Sequence, residues 1–250
     1  MTINQDNCAL VLGAGGGLGS ALVSQFLSDA AITKVFAVSS QDQPFTFSVE
    51  GREPDKLVWI KTVYDEASMV EVANLLEPNA GHFGKVVICH GLLHSETIWP
   101  EKRLEDINAE ALHAIYQSNT VVPALWLKVL FKVVKGKHPC TIATMSARVG
   151  SIGDNRMGGW HAYRASKAAL NMVLQNMAIE YGRRAKNVKL IAFHPGTTDT
   201  GLSKPFQAGV PSGKLFTPAF VASQLDSIMG SAQLDGLLCY LDWNGQPINW

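Results

Sequence analysis

Five glycines in seven residues, Gly13-Ala14-Gly15-Gly16-Gly17-Leu18-Gly19, divide two segments of different period. Before them Cys8-Ala9-Leu10-Val11-Leu12 is a continuous apolar run, and after them Leu18, Ala21, Leu22 and Phe26 recur at helical spacing. The cluster therefore marks a strand-to-helix turn. Glycine lets the backbone turn tightly and approach a ligand closely, and the following helix offers free amides and a partial positive charge, a combination suited to a pyrophosphate. At the first such turn of a chain this implies dinucleotide binding, although methyltransferase loops and plain tight turns share the glycines.

The alternation continues. Apolar runs at 35–38, 57–60, 86–89, 141–144, 188–193 and 237–241 read as strands separated by helical segments. Continuous apolar strands alternating with helices imply an α/β fold, a doubly wound, mostly parallel seven-stranded sheet with helices on both faces. The 250 residues show no compositional break, so residues 1–250 read as one domain. Twenty-one acidic and 21 basic residues balance, which argues against a nucleic-acid or membrane-surface partner and for a small ligand. Cys8, Cys89, Cys140 and Cys239 are widely spaced and read as free thiols. The stretch from Met1 to Asn7 is polar, with no basic or apolar leader, and no apolar run is long enough to span a bilayer. A cytoplasmic protein is expected.

Three segments carry candidate chemistry. A helix over 109–134 contains Pro123, which has no amide hydrogen for the carbonyl of Asn119, so a kink is expected there, either tolerated or used. A second helix, 161–181, has an apolar face of Leu170, Val173, Leu174, Met177, Ala178 and Tyr181, and carries Tyr163 and Lys167 in its first turns. Four residues apart, these two project to the same side. An ammonium beside a phenol favours the phenolate and lowers a pKa that is ordinarily about 10, which suits Tyr163 to proton transfer. Any helix can carry such a pair structurally; the glycine turn upstream is what favours chemistry. Residues 195–218, rich in Gly, Pro, Ser and Thr, are long for a connector and read as a mobile functional loop, with the substrate segment at about 197–216.

The spacing GxxxGxG together with Tyr163-Arg164-Ala165-Ser166-Lys167, a YxxxK motif on the helix after the fifth strand, resembles the short-chain dehydrogenase/reductase superfamily. The resemblance runs along the whole chain, with Ser146 just past the fifth strand, Asn119 in the preceding long helix and His194-Pro195-Gly196 after the sixth strand. Asp154-Asn155-Arg156, Gly158-Gly159-Trp160, residues 194–206 and Trp243-Asn244-Gly245-Gln246-Pro247 resemble its C-factor branch. The resemblance implies a Rossmann-type fold and hydride transfer between NAD or NADP and a small carbonyl or alcohol. Asn119, Ser146, Tyr163 and Lys167 are then the catalytic set: Ser146 on the substrate oxygen, Tyr163 as proton donor, Lys167 also on the nicotinamide ribose, and a water on the Asn119 carbonyl. The cofactor would lie against Gly13, Gly15, Gly16, Gly17, Leu18, Gly19, Ser39, Ser40, Cys89, His90, Gly91, Tyr163, Lys167, Pro195, Gly196, Thr198 and Thr200. A homodimer or homotetramer is also implied. The C-factor likeness admits a second reading, a dinucleotide-binding signalling protein with little turnover.

The chain departs from the family pattern in places. Leu12 stands where threonine is usual, and Ile88-Cys89-His90-Gly91 replaces an Asn-Asn-Ala-Gly stretch. His90 reads either as cofactor-side packing or as a satisfied structural histidine; no ligand cluster accompanies it, and no metal is expected. The second strand ends Val38-Ser39-Ser40, without the carboxylate that binds the ribose of NAD and repels a 2′-phosphate, and without an arginine beside it, so the preference leans to NADP. Trp243 and Trp250 flank an Asn-Gly turn signal and either bury the chain end or line a cleft or subunit contact.

Overall fold

The computed structural model describes residues 7–43 and 56–250. Strand β1 (Cys8–Leu12) is buried at all five positions, and its side chains alternate between two cores. Cys8, Leu10 and Leu12 join Met69, Trp126, Leu130, Leu170 and Leu174 on one face; Ala9 and Val11 join Leu22, Phe26, Val221 and Leu225 on the other. A strand covered on both faces has no polar position to offer, which is why its sequence shows no alternation. Each large side chain so buried contributes about 1.5–3 kcal/mol. Helices α2 (Glu66–Leu76), α4 (Val122–Val134) and α5 (His161–Arg184) supply the first face, α1 (Gly17–Ser28) and α6 (Pro218–Ser231) the second.

The remaining strands are β2 (Lys34–Ser39), β3 (Leu57–Lys61), β4 (Phe83–Ile88), β5 (Cys140–Met145), β6 (Val188–His194) and β9 (Leu238–Asp242). The order is β3-β2-β1-β4-β5-β6-β9, with every neighbouring pair parallel. The chain winds outward from β1, returns to β1's other side with β4, and winds outward again. That reversal opens a crevice beyond the carboxyl ends of β1 and β4, the place where open α/β sheets bind ligands. The expected seven-stranded, doubly wound sheet is thus the observed one.

The expected helix over 109–134 is divided: α3 (Ala109–Tyr116) passes through a π-helical turn (Gln117–Val121) into α4. The segment 195–218 has structure of its own, a short parallel pair of β7 (Thr197–Thr198) with β8 (Leu215–Phe216) enclosing a 3-10 turn, Lys204–Gly209. Beyond β9, Gly245 at φ +74° closes the turn that the Asn-Gly pair signals, with Asp242 N donating to Gln246 O at 2.9 Å. The four cysteines form no disulfide, with Cys8 and Cys140 buried in strands and Cys89 and Cys239 partly buried. Among the described residues no helix is long and apolar enough to cross a membrane. Residues 1–6, on which the reading of the amino terminus rests, lie outside the described residues.

Candidate active site

The glycine turn is tightest at Gly19, where backbone leaves no room for a side chain. Gly13, at φ +83°, and Ala14 both donate their amides to Val38 O at 2.9 Å, tying the end of β1 to β2. A Cβ on Gly19 would stand 2.2 Å from Gly13 O, on Gly17 2.9 Å from Thr200 Cγ2, and on Gly15 2.5 Å from Ser39 Oγ. Helix α1 then opens on Gly16 with no side-chain cap and no acidic residue in its first turn. Uncapped amides at a positive helix end, reached through side-chain-free backbone, fit the pyrophosphate of a dinucleotide.

Beyond this turn lies a cavity of about 450 Å³. Gly13, Gly16, Gly17, Leu18, Gly19, Cys89, His90 and Gly91 line it, as do Pro195, Gly196, Thr198 and Thr200 and the three side chains Ser146, Tyr163 and Lys167. Strand β5 delivers Ser146, whose amide donates to Phe193 O at 2.8 Å and whose hydroxyl donates to Asn171 Oδ1 at 2.6 Å. Tyr163 and Lys167 come from α5, one helical turn apart, with Lys167 Nζ 5.8 Å from the phenol ring centroid. Gly150 allows the two sources to meet: a Cβ there would lie 2.8 Å from the Lys167 backbone carbonyl carbon and from Lys167 Cβ.

Electrostatics depart from the sequence expectation. The Tyr163 phenol is pushed above its ordinary range by burial and, secondarily, by Tyr240, rather than lowered by its neighbour. Lys167 donates to Met145 O at 2.8 Å, and burial pushes its ammonium down to about 7. Desolvation acts at full strength on both groups, whereas the attraction between them is weakened by separation and by the loss of lysine charge. The result is a phenol that keeps its proton at neutral pH, the form a proton donor needs.

Asn119 sits in the π-helical turn, where Val122 N donates to Gln117 O, one residue further back than in an α-helix. Pro123 removes the amide that would face the Asn119 carbonyl in α geometry. The Asn119 side chain is fully buried, donating to Leu92 O at 2.9 Å and Ser166 Oγ at 3.0 Å and accepting from Leu92 N at 2.6 Å. It pins the segment after β4 to α5 and does not line the cavity. Gly91 lies between: a Cβ there would be 3.8 Å from Lys167 Nζ and 3.9 Å from Asn119 Oδ1.

Among the other expected cofactor contacts, Gly15, Ser39 and Ser40 do not line the cavity. Ser39 is 2 % exposed and its hydroxyl accepts from Gln41 N at 3.0 Å. Cys89 donates its amide to Leu12 O at 2.8 Å, and burial pushes its thiol up to about 12. Among the described residues neither buried ring nitrogen of His90 has a hydrogen-bond partner, its ring meets Tyr64 edge-on at 4.3 Å, and burial pushes it down to about 4. Trp243 packs on Phe216 at 4.5 Å and Trp250 on Tyr240 at 5.1 Å, so neither lines the cavity.

The apolar end of the cavity was missed in the sequence. Leu93, Val149, Trp160, Leu202, Phe206 and Val210 form it, drawn from three separate loops. Only the unusual length and composition of residues 195–218 signalled part of it. Asn171, which holds Ser146, carried no sequence signal beyond being a polar residue on the buried side of α5.

A family model described as short chain dehydrogenase matches residues 7–210. The chain belongs to that family. As a short chain dehydrogenase it is an NAD(P)-dependent oxidoreductase. It is similar to a benzil reductase ((S)-benzoin forming) of Bacillus cereus, 23% identical over 240 residues that cover 88% of this chain and 92% of that one. It is also similar to the C-signal of Myxococcus xanthus, 32% identical over 110 residues, 44% of this chain and 60% of the other, a relative of the kind the sequence resemblance implies. In fold it matches the NADPH-bound carbonyl reductase from chicken fatty liver with a TM-score of 0.83 at 20% identity, covering 98% of this dehydrogenase and 100% of that chain.

Proposed function

We propose that the protein reduces a small ketone or aldehyde bearing an apolar or aromatic group, using NADPH. One observation carries the reading: Tyr163 and Lys167 stand where a glycine-lined end of one cavity meets an end lined by Leu93, Trp160 and Phe206. A bound nicotinamide dinucleotide supplies the hydride that adds to the carbonyl carbon. Tyr163 gives its phenolic proton to the carbonyl oxygen, completing the alcohol, and Ser146 steadies that oxygen as charge grows on it. Lys167 would hold the nicotinamide ribose, and the Asn119 carbonyl, which Pro123 offers no amide, would hold the water that returns a proton to Tyr163. The glycine turn would hold the pyrophosphate, with Cys89, His90 and Gly91 on one side and Pro195, Gly196, Thr198 and Thr200 on the other.

The lean to NADPH rests on Ser39 and Ser40 standing where a carboxylate would repel a 2′-phosphate; the carbonyl reductase from chicken fatty liver is NADPH-bound. Cysteines without a disulfide fit a reducing compartment, the cytoplasm. A homodimer or homotetramer through the long helices follows from the family resemblance. Fluorescence titration with NADPH and NADH, followed by incubation with a carbonyl panel, tests the reading. Tighter NADPH binding and oxidation of the cofactor by apolar ketones are expected. Binding without oxidation would instead favour a dinucleotide-sensing protein.

A further inference from the structure

Helix α5 begins in an unusual way. Gly158 (φ +65°), Gly159 (φ +64°) and Trp160 (φ +52°) are three successive left-handed residues, a conformation that side chains other than glycine's rarely adopt. Trp160, the residue preceding the helix, provides no side-chain cap. The cap comes from Glu101, 61 positions upstream, whose two carboxylate oxygens each accept from Ala162 N at 3.2 Å. Glu101 also accepts from Trp160 N through its backbone carbonyl, at 2.6 Å. Its side chain faces inward and the residue is only 3 % exposed, so its charge is answered by the helix amino terminus. Arg164 Nε donates to Gly158 O at 3.2 Å and Gly159 O at 3.0 Å, fastening the same stretch from the helix side.

What this arrangement holds is the Trp160 ring. It meets Phe206 at 5.1 Å with the planes 60° apart and Tyr163 at 6.2 Å with the planes 80° apart, both edge to face, and so forms the wall between the proton donor and the apolar end of the cavity. Aromatic walls set edge to face offer both faces and edges to a ring placed between them. We infer that Glu101, which does not line the cavity, is a positioning residue that sets Trp160 as the wall selecting carbonyl compounds with a flat aromatic group. The inference rests on the functional reading above.

The test compares acetophenone with 2-butanone, both with NADPH. The wild-type protein should prefer acetophenone in kcat/KM. Glu101→Ala should lower that preference about tenfold, chiefly through a higher KM for acetophenone, the scale on which a displaced apolar contact acts. Glu101→Gln, whose amide oxygen can still accept from Ala162 N, should restore most of it. Trp160→Ala should lose the preference too, and the double variant should lose no more than Trp160→Ala alone. Gly159→Ala gives a second route should Glu101→Ala not fold: it strains the left-handed stretch, with its Cβ 3.4 Å from Glu101 O, and should lower the preference while leaving the carboxylate in place. Unchanged preference in a folded Glu101→Ala or Gly159→Ala protein, equal loss on both ketones without a KM change, or additive effects in the double variant would each overturn the role of Glu101. Failure of the wild-type protein to oxidise NADPH with either ketone would overturn the functional reading instead.

Discussion

Lys167 Nζ donates to the carbonyl oxygen of Met145 at 2.8 Å, tying the helix-borne cation to the last residue of β5, where Ser146 leaves the sheet. The lysine is 2 % exposed and burial holds it near 7, whereas in an unfolded chain it titrates near 10.4. Between pH 7 and about 8.5 the unfolded state therefore binds the extra proton, and stability rises with pH, approaching about 1.4 kcal/mol per unit. Above that window the buried thiols of Cys89 and Cys140, both pushed up, reverse the trend. Urea midpoints at pH 7.0 and 8.5 should increase for the wild-type protein and stay level for Lys167→Met. Equal slopes in the two proteins would show that burial does not lower the pKa of this ammonium.

Tyr163→Phe removes the proton and leaves the ring that packs beside Trp160. Turnover should fall by about 10²- to 10⁴-fold, while NADPH binding, followed by fluorescence, is retained. Comparable activity in the variant would remove Tyr163 from the chemistry.

Asn171 orients Ser146 through a 2.6 Å hydrogen bond. Its amide, turned over, would donate instead and leave the serine proton for a substrate oxygen. Asn171→Ala should lower kcat about tenfold with little change in KM, less than the 10²–10³ fold typical of losing an oxyanion donor outright. Steady-state kinetics beside Ser146→Ala would check the ranking.

Pro123→Ala supplies the amide absent opposite the Asn119 carbonyl. A helix that regains this bond should melt at an equal or higher temperature, since proline within a helix costs up to about 3 kcal/mol. If that carbonyl holds the water serving Tyr163, kcat should nevertheless fall about tenfold. Higher stability with full activity would separate the π-helical turn from proton supply.

Gly19→Ala places a methyl group 2.2 Å from Gly13 O, against backbone that has no rotamer to yield. Loss of NADPH binding together with a clear drop in melting temperature is expected. Retained binding would mean that the turn is looser than its geometry implies.

The sheet was readable because its strands are apolar on both faces, leaving runs such as Cys8–Leu12 that periodicity reports directly. Tyr163 and Lys167 were readable because their relation is local, one turn of one helix. Asn171 was not, since its use depends on how α5 is rotated against β5. Glu101 and Trp160 were not, because residues far apart in the chain meet through a left-handed stretch that only its glycines hint at. The acidity of Tyr163 was misread for a related reason: spacing reveals a neighbouring charge, but burial, which outweighs it here, is a property of the folded molecule.

The β7 and β8 pairing joins Thr197 to Leu215 and Thr198 to Phe216, so residues 199–214 leave and re-enter the body through a single narrow doorway. Leu202, Phe206 and Val210 all lie inside that bracket, whereas β6 and α6 lie outside it. The segment is thereby an interchangeable cartridge. A graft that keeps Thr200 and replaces residues 201–214 can alter length and lining at little entropic penalty and leave the hydride-transfer apparatus in place.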